Sequence, residues 1–167
     1  MINDILTAIA ARLGAEVTEL KYIDEDWGQL DDYSDNPPVK FPCAIIEMQQ
    51  AAWRNQSSKV QDGTVNISIR VADQRLSNTN LRAPAQQKLN AATIWAIQEK
   101  IYKALHTWRP VEFPAFSSLT RVSSRKLKRD DGVREFEMIF TTVYVDKAAV
   151  IVPEMLTDVP RVIGINE

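Results

Sequence analysis

The segment from Pro84 to Trp108 is the longest regular pattern in the chain, and it constrains the fold most. Apolar residues recur there at steps of three and four positions, which places them on one face of an α-helix. The residues of this stripe are Ile94, Ile97, Ile101, Ala104, Leu105 and Trp108, widened by Leu89 and Ala96. Pro84 suits the first turn of a helix, and Pro110 disfavours continuation beyond Arg109. The remaining elements must therefore cover one apolar stripe roughly 37 Å long.

Length and composition narrow the class of protein. The 167 residues suffice for one domain with a sizeable core. A net charge of −2 argues against non-specific binding of nucleic acid by the whole molecule. The single cysteine, Cys43, excludes an internal disulfide and indicates a reducing compartment. Apolar runs stay shorter than the about 18 residues that a membrane helix needs, and the first residues lack the basic region of a signal peptide. The sequence predicts a cytoplasmic origin and no membrane partner.

The first half of the chain alternates helical, acidic and strand patterns. Residues 2–13 repeat apolar positions at helical spacing, and Gly14 favours a helix end. The acidic stretch that follows, 24–35, contains five aspartates and predicts an exposed loop. Residues 17–23 before it supply the apolar positions of one short strand.

Two further strands are predicted before the long helix. Residues 41–48 form a short run that is apolar on both alternating faces, as in a strand covered on two sides. Residues 65–71 alternate strictly between apolar and polar side chains, which predicts one buried and one wet face. The polar residues 49–59 between them, which include Trp53, predict a loop.

A β-hairpin is predicted after the long helix. Asp131-Gly132 is a strong signal for a two-residue hairpin loop, since both positions tolerate positive φ. The pairs that this register predicts are Lys128–Glu135 and Lys126–Glu137 on one face, and Leu127–Phe136 on the other. One face of the tip is then charged and the other apolar. The pattern predicts a hairpin that projects from its own domain.

The last residues, 147–167, are rich in valine and isoleucine but are interrupted by Pro153, Pro160 and Gly164. They are too apolar for an ordinary disordered tail and too interrupted for a long helix. We therefore divide the chain into a domain, 1–146, and an extended C-terminal arm, 147–167. The predicted fold is α+β: a mixed, mostly antiparallel sheet of four to five strands, two helices packed on it, a projecting hairpin and the arm.

Motifs for catalysis or cofactor binding are missing from the sequence. Asp24-x-Asp26 begins like a calcium loop, but the glycine expected at the sixth position is absent. His106 stands alone in the last turn of the long helix, and Cys43 has no neighbouring cation that would activate its thiol. The chain lacks a glycine-rich phosphate loop, a paired cysteine or histidine spacing and a G-x-S-x-G elbow. We predict no catalytic residue, no metal, no cofactor and no enzymatic activity.

Basic residues cluster along the predicted hairpin. They are Arg121, Arg125, Lys126, Lys128, Arg129 and Arg134. Three interpretations remain open: a solvated edge whose charge prevents aggregation, a contact for an acidic protein surface, or a contact for DNA or RNA. The last is disfavoured by the missing aromatic residues between the cations.

The order of these patterns is similar to that of the tail-terminator and tail-completion proteins of long-tailed bacteriophages. The resemblance spans residues 2–146 and depends on the element order, on the compact strand Phe41-Pro42-Cys43-Ala44-Ile45-Ile46 and on the strand Val65 to Val71. It implies a mixed sheet with helices packed on it and a six-fold ring, which caps the growing tail tube and later joins it to the neck. The arm departs from the family pattern, and the resemblance implies no catalytic residues.

The sequence thus predicts a structural virion protein, made in the host cytoplasm, that forms a hexameric tail-terminator ring. Its expected partners are copies of itself, the tail tube protein, a neck or connector protein and the tail sheath protein, with nucleic acid only as the passing genome. The residues expected at subunit or tail interfaces are Trp53, Arg125, Leu127, Lys128, Arg129, Phe136, Met138, Ile151 and Leu156. Two alternatives remain: a neck or connector adaptor of a phage or contractile injection particle, and a non-structural nucleic-acid or regulatory module.

Overall fold

One five-stranded mixed sheet carries the fold. The computed structural model describes residues 3–31, 39–74 and 78–150. The elements in chain order are α1 (Asn3–Glu16), β1 (Tyr22–Glu25), β2 (Cys43–Ser57), β3 (Val60–Gln74), α2 (Ala85–Leu105), β4 (Thr120–Leu127) and β5 (Val133–Asp146). The strands lie in the order β1-β2-β3-β5-β4. β1 is parallel to β2 and the other pairs are antiparallel. The predicted α+β fold with two helices is confirmed.

Both helices take part in the main core on one face of the sheet. Ile5, Ile9 and Leu13 of α1 are buried at helical spacing, as the sequence predicts. Four stripe residues of α2, namely Ile97, Ile101, Ala104 and Leu105, join the same cluster together with the apolar residues of β3, and Trp108 packs against it. Gly14 does not end α1, which continues to Glu16.

The ends of α2 differ from the prediction. The helix stops at Leu105 because His106 adopts an extended conformation and Thr107 has a φ of 66°. The first turns, residues 85–90, are all exposed, and Leu89 is 66% exposed. Leu89 and Ala96 therefore do not widen the buried stripe. Burial of α2 begins at Ala91, and Leu89 before it faces solvent.

The long β2–β3 hairpin replaces a predicted loop. Each strand has 15 residues, and their pairing runs from Cys43 to Ser57, with the turn at residues 58–59. Residues 52–59, predicted as loop, are exposed on both faces of the hairpin. A strand with two wet faces lacks the apolar alternation that reveals strands in a sequence. The hairpin that projects from the core is thus β2–β3.

The β4–β5 hairpin is shifted by one residue from its predicted register. Arg125, not Lys126, lies opposite Glu137, and Leu127 lies opposite Glu135. The loop consists of residues 128–132, with Gly132 at a φ of 79°. Because the side-chain period of a strand is two, this shift separates Leu127 from Phe136 and places them on opposite faces of the sheet.

The sheet face turned away from the helices, the far face, is covered in part by the acidic loop. Leu30 is buried in a second cluster with Cys43, Ile45, Ala72 and Val133. Gln29 is also buried, and its side-chain amide donates to the carbonyl of Glu25 at 2.8 Å. The expectation of a fully exposed acidic loop is therefore wrong for Gln29 and Leu30, which are buried, and for Asp24 and Glu25, which belong to β1, whereas Trp27 and Asp31 are exposed.

Candidate assembly interface

The two side chains considered for catalysis have roles inside the fold. His106 stacks on Tyr102 with ring centroids 4.9 Å apart, and its Nδ1 accepts the backbone N–H of Arg121 at 3.2 Å. Cys43 is buried, and burial raises the pKa of its thiol to about 12. A thiol with this pKa is a poor nucleophile near neutral pH.

Arg70 is the centre of a cluster of charged residues on the far face. Its Nε donates to Glu135 Oε1 at 2.5 Å, and its Nη atoms donate to Asp26 at 2.8 Å and Asp31 at 2.7 Å. The Arg70 side chain is 13% exposed and that of Glu135 only 1%. The hydrogen bonds from Arg70 hold the pKa of Asp31 below its ordinary value, although burial opposes them. The acidic loop is thereby fastened to the sheet.

Arg129 joins the same cluster from the β4–β5 loop. It donates to Glu135 Oε2 at 2.7 Å and to the carbonyl of Leu30 at 2.5 Å. It also pairs with Asp131, and its hydrogen bonds lower the pKa of that carboxyl group. Arg129 was predicted as an interface residue, but its guanidinium binds groups of its own subunit.

A second ion pair on the far face joins Arg125 to Glu137. The Arg125 Nε lies 2.5 Å from Glu137 Oε2, and the Glu137 carboxylate also accepts from Ser68 at 3.0 Å and Gln49 at 3.1 Å. Burial acts to raise the pKa of Glu137, but the hydrogen bonds from Arg125 and Ser68 outweigh it and leave that pKa lowered. Arg125 keeps 67% of its side chain exposed, so it remains available to a partner at the sheet edge.

The other arginines near the hairpin also contact their own subunit. Arg121 lies over the Tyr102 ring, with its Cζ atom 3.8 Å from the ring centroid. Arg134 donates to the carbonyl of Ala91 at 2.6 Å. Because most of these guanidinium groups are held by acids, carbonyls or rings, they do not form an open basic groove of the kind that binds a nucleic-acid backbone.

The predicted apolar interface residues separate into distinct environments. Met138 is 1% exposed and belongs to the main core, so the expectation that it needs another subunit to cover it is wrong. Phe136 is half-buried and lines a hollow with Trp95 and Lys126. Leu127 is half-buried at the end of β4. Lys128 is exposed, and Ile151 and Leu156 lie outside the described residues.

Trp53 lies on the projecting hairpin, at the end of a row of three aromatic side chains that crosses the sheet. It is 40% exposed, and its ring makes an edge contact with Tyr144 at 5.8 Å. Tyr144 in turn stacks on Phe116 at 4.5 Å. Gly63 lies beneath the Trp53 ring, where a Cβ atom would come within 2.7 Å of Cε3. The glycine thus allows the ring to lie flat along the hairpin and still face solvent.

Several exposed apolar side chains were not predicted as interface residues. They are Leu81, Leu89, Trp95, Val111, Val122, Val143 and Val150, whereas Trp27, also exposed, was considered as a partner contact because it lies in a polar loop. Leu89 lies on the exposed first turns of α2, and Trp95, at 55% exposure, lies on the solvent face of the helix beside the buried Ile94. Leu89 was misassigned because it fits the helical period of the buried stripe. The signal that could have corrected it is the run of polar residues 86–88 beside it.

Cys43 and His106 are both used inside the fold, whereas several apolar side chains and strand edges among the described residues are exposed. Exposed apolar side chains and open strand edges are typical of proteins that contact other proteins. Within residues 3–31, 39–74 and 78–150, no group of His, Cys, Asp or Glu could hold a metal ion. No helix in those ranges is long and apolar enough to cross a membrane.

Comparison with known proteins then gives the family. Residues 3–149 match the family described as "Phage tail terminator protein", and the chain belongs to this family. It is a structural tail protein of the virion, and the resemblance noted from the sequence is confirmed. Among curated proteins, no sequence matches it. Among solved structures it is similar to a chain of the "Virion of native gene transfer agent (GTA) particle", with 11% identity and a TM-score of 0.47, covering 83% of this chain and 84% of that chain.

Proposed function

We propose that the protein is a tail terminator whose copies form a hexameric ring that caps the tail tube and joins it to the neck. The observation that carries the proposal is the family match over nearly the whole described chain, residues 3–149. The resemblance implies the six-fold ring. The ring surface would include Trp53, Arg125, Leu127, Lys128 and Phe136, whereas Met138 is excluded by its burial. The arm residues Ile151 and Leu156 remain proposed contacts.

The exposed surfaces support a head-to-tail assembly. A ring closed by rotation needs two different surfaces on each subunit, one for each neighbour. The projecting β2–β3 hairpin with Trp53 and the exposed part of α2 with Leu89 and Trp95 are different surfaces of this kind. Exposed aromatic residues are typical anchors of protein interfaces.

The first test is the size and shape of the purified protein. Light scattering should give six times the 18.9 kDa of one chain, and negative-stain micrographs should show rings with a central hole. Particles of any other copy number would contradict the hexamer.

The second test concerns the capping role. Added to polymerising tail tube protein, the ring should stop elongation and shorten the tubes seen by electron microscopy. The control is the same protein after heat denaturation. Tubes of unchanged length would contradict capping, and binding to the neck protein alone would favour the neck-adaptor alternative.

A further inference from the structure

The outer edge of the sheet at β4 is open to a further strand beyond Arg121. Among the described residues the only strand that pairs with β4 is β5, while His106 accepts the Arg121 N–H and residues 107 and 108 bond to Leu119 just before β4. The odd-numbered residues at the end of β5 turn their backbone groups toward the β4 side: the Val143 carbonyl accepts from Ser117 N–H, and Val145 N–H donates to the Ala115 carbonyl, both at 2.9 Å. Backbone direction alternates along a strand, so the other odd-numbered residues of β5 also point toward β4.

This alternation decides which groups of β4 point outward. Arg125 lies opposite Glu137, an odd-numbered residue, so the backbone groups of Arg125 point toward β5. Its neighbours Ser124 and Lys126 therefore direct their N–H and C=O groups away from the sheet. These outward groups can accept a strand from another chain.

The opposite side of the sheet has a second open edge. β1 pairs with β2 only at Cys43–Ile46, and the last carbonyl of this stretch, that of Ile46, accepts from Asp26 N–H at 2.9 Å. Beyond it, the β2 residues 47–57 have β3 on one side and no strand among the described residues on the other. This open part of β2 is 11 residues long, which is enough to pair with the whole open part of β4, residues 122–127.

Charge distinguishes the two edges. The open part of the β4 edge carries Arg125 and Lys126, both exposed. The open β2 edge begins beside the exposed carboxylates of Glu25 and Glu47, and its one arginine, Arg54, is paired with Asp62. Pairing β4 with a second β4 would bring like charges opposite one another, which is destabilising, whereas pairing β4 with β2 brings opposite charges together.

We propose that β4 of one copy pairs with the open edge of β2 in a second copy, so that the sheet continues from subunit to subunit around the ring. This inference rests on the proposed ring and names the contact that closes it. β4 ends the strand order on one side, and the open part of β2 lies on the other side where β1 stops, so each copy can bind one neighbour on each side. Trp95 of α2 lines the hollow beside Lys126 and would cover the added strand with an apolar side chain.

Ser124→Pro tests the inference. Proline removes the outward N–H of Ser124, and proline is tolerated at an edge strand whose N–H faces solvent. We expect an intact monomer, with unchanged circular dichroism and melting temperature, and a complete loss of rings. The matched control is Ser123→Pro, which removes an N–H directed at β5 and should lower the melting temperature of the monomer.

Hydrogen exchange gives an independent measurement on the wild type. The amides of Ser124 and Lys126 should exchange about tenfold or more slowly in rings than in dilute monomers, since ladder bonds protect amides. Protection of these amides could also come from the C-terminal arm binding to the same edge. A variant that ends at Val150 lacks this arm, and we expect it to form rings as the wild type does.

The outcomes distinguish the two proposals. Rings formed by Ser124→Pro, or rings lost only on removal of residues 151–167, would overturn the edge pairing and leave the ring itself intact. A wild-type protein that remains monomeric at every concentration would overturn the proposed ring, and the edge pairing with it.

Discussion

At the residue scale, Arg70 is the side chain on which the far face depends most. Its guanidinium binds Asp26 of the acidic loop and Glu135 of β5, and so joins the loop to the sheet. Removing one partner of a buried ion pair leaves the other charged group without compensation, which costs about 3 to 5 kcal/mol. We expect Arg70→Met to lower the free energy of unfolding, measured in urea, by about this amount.

The matched control for Arg70 is Lys103→Ala. Lys103 pairs with Glu99 at 2.5 Å, and both side chains are exposed, at 69% and 63%. Exposed ion pairs contribute little to stability, so this variant should unfold at nearly the wild-type urea concentration. Equal effects of the two substitutions would mean that the Arg70 cluster does not fasten the loop.

The lowered pKa values predict how stability depends on pH. Asp31 and Glu137 have pKa values below their ordinary 3.8 and 4.5 in the folded protein. Groups of this kind stabilise the fold fully above the unfolded pKa, and the contribution is lost as the pH falls through the folded pKa. The free energy of unfolding, measured in urea, should therefore not change through these groups near neutral pH and should decrease below about pH 4.5.

Glu137→Gln provides the control for this pH dependence. The amide cannot titrate, so the variant should lose part of the change between neutral and acid pH while being less stable at pH 7. A wild-type unfolding midpoint that stays constant down to pH 3 would contradict the role of these carboxylates.

At the scale of elements, the helices and β3 were predictable from sequence because apolar and polar side chains alternate along each with the period of the element. The polar face of β3 is not wet as predicted, since Ser68 is fully buried and the Arg70 side chain is only 13% exposed. Ile5, Ile9 and Leu13 follow the helical period, and Ile67 and Ile69 follow the strand period. The distal half of β2 could not be found in the same way. Neither of its faces is buried, so its pairing with β3 depends on backbone hydrogen bonds that leave no pattern in side-chain polarity.

The register of the β4–β5 hairpin depended on contacts distant in sequence. Arg129 binds the Leu30 carbonyl across 99 positions, and Asp131 accepts the Val133 N–H at 3.1 Å within a five-residue loop. Local turn preference favours Asp-Gly as a two-residue loop and contains no information about Leu30. The same limit applies to the proposed interface. Trp53 and Arg125 were predicted from their residue type and are exposed, whereas the exposure of Trp95 depends on which face of α2 packs on the sheet.

A substitution on α2 tests whether its exposed half belongs to an interface. We expect Leu89→Asp to change the free energy of unfolding by no more than about 0.5 kcal/mol, since surface substitutions have small effects. The same variant should weaken ring formation in sedimentation experiments. Ile97→Asp is the control, because Ile97 is fully buried in the same helix and a charge there should unfold the monomer.

At the scale of the whole molecule, the two sheet edges differ in charge, and this gives the proposed assembly a dependence on ionic strength. Salt screens exposed charges over about 8 to 10 Å at physiological concentrations. Added NaCl should therefore weaken the rings, so that they dissociate at a higher protein concentration. At low salt they should persist to a lower protein concentration. Lys126→Gln should reduce this salt dependence without unfolding the monomer. Dissociation that is independent of salt would mean that charge contributes little to the contact.

The single buried thiol offers a direct way to follow the protein in assembled particles. Cys43 is the only cysteine of the chain, and with a pKa of about 12 it should not react with maleimides at neutral pH. A cysteine introduced at Ser58, in the exposed β2–β3 turn, would then be the one site that accepts a fluorophore or gold cluster. Distances between labels on neighbouring copies would map the hairpin tips around the tail without any background from the native sequence.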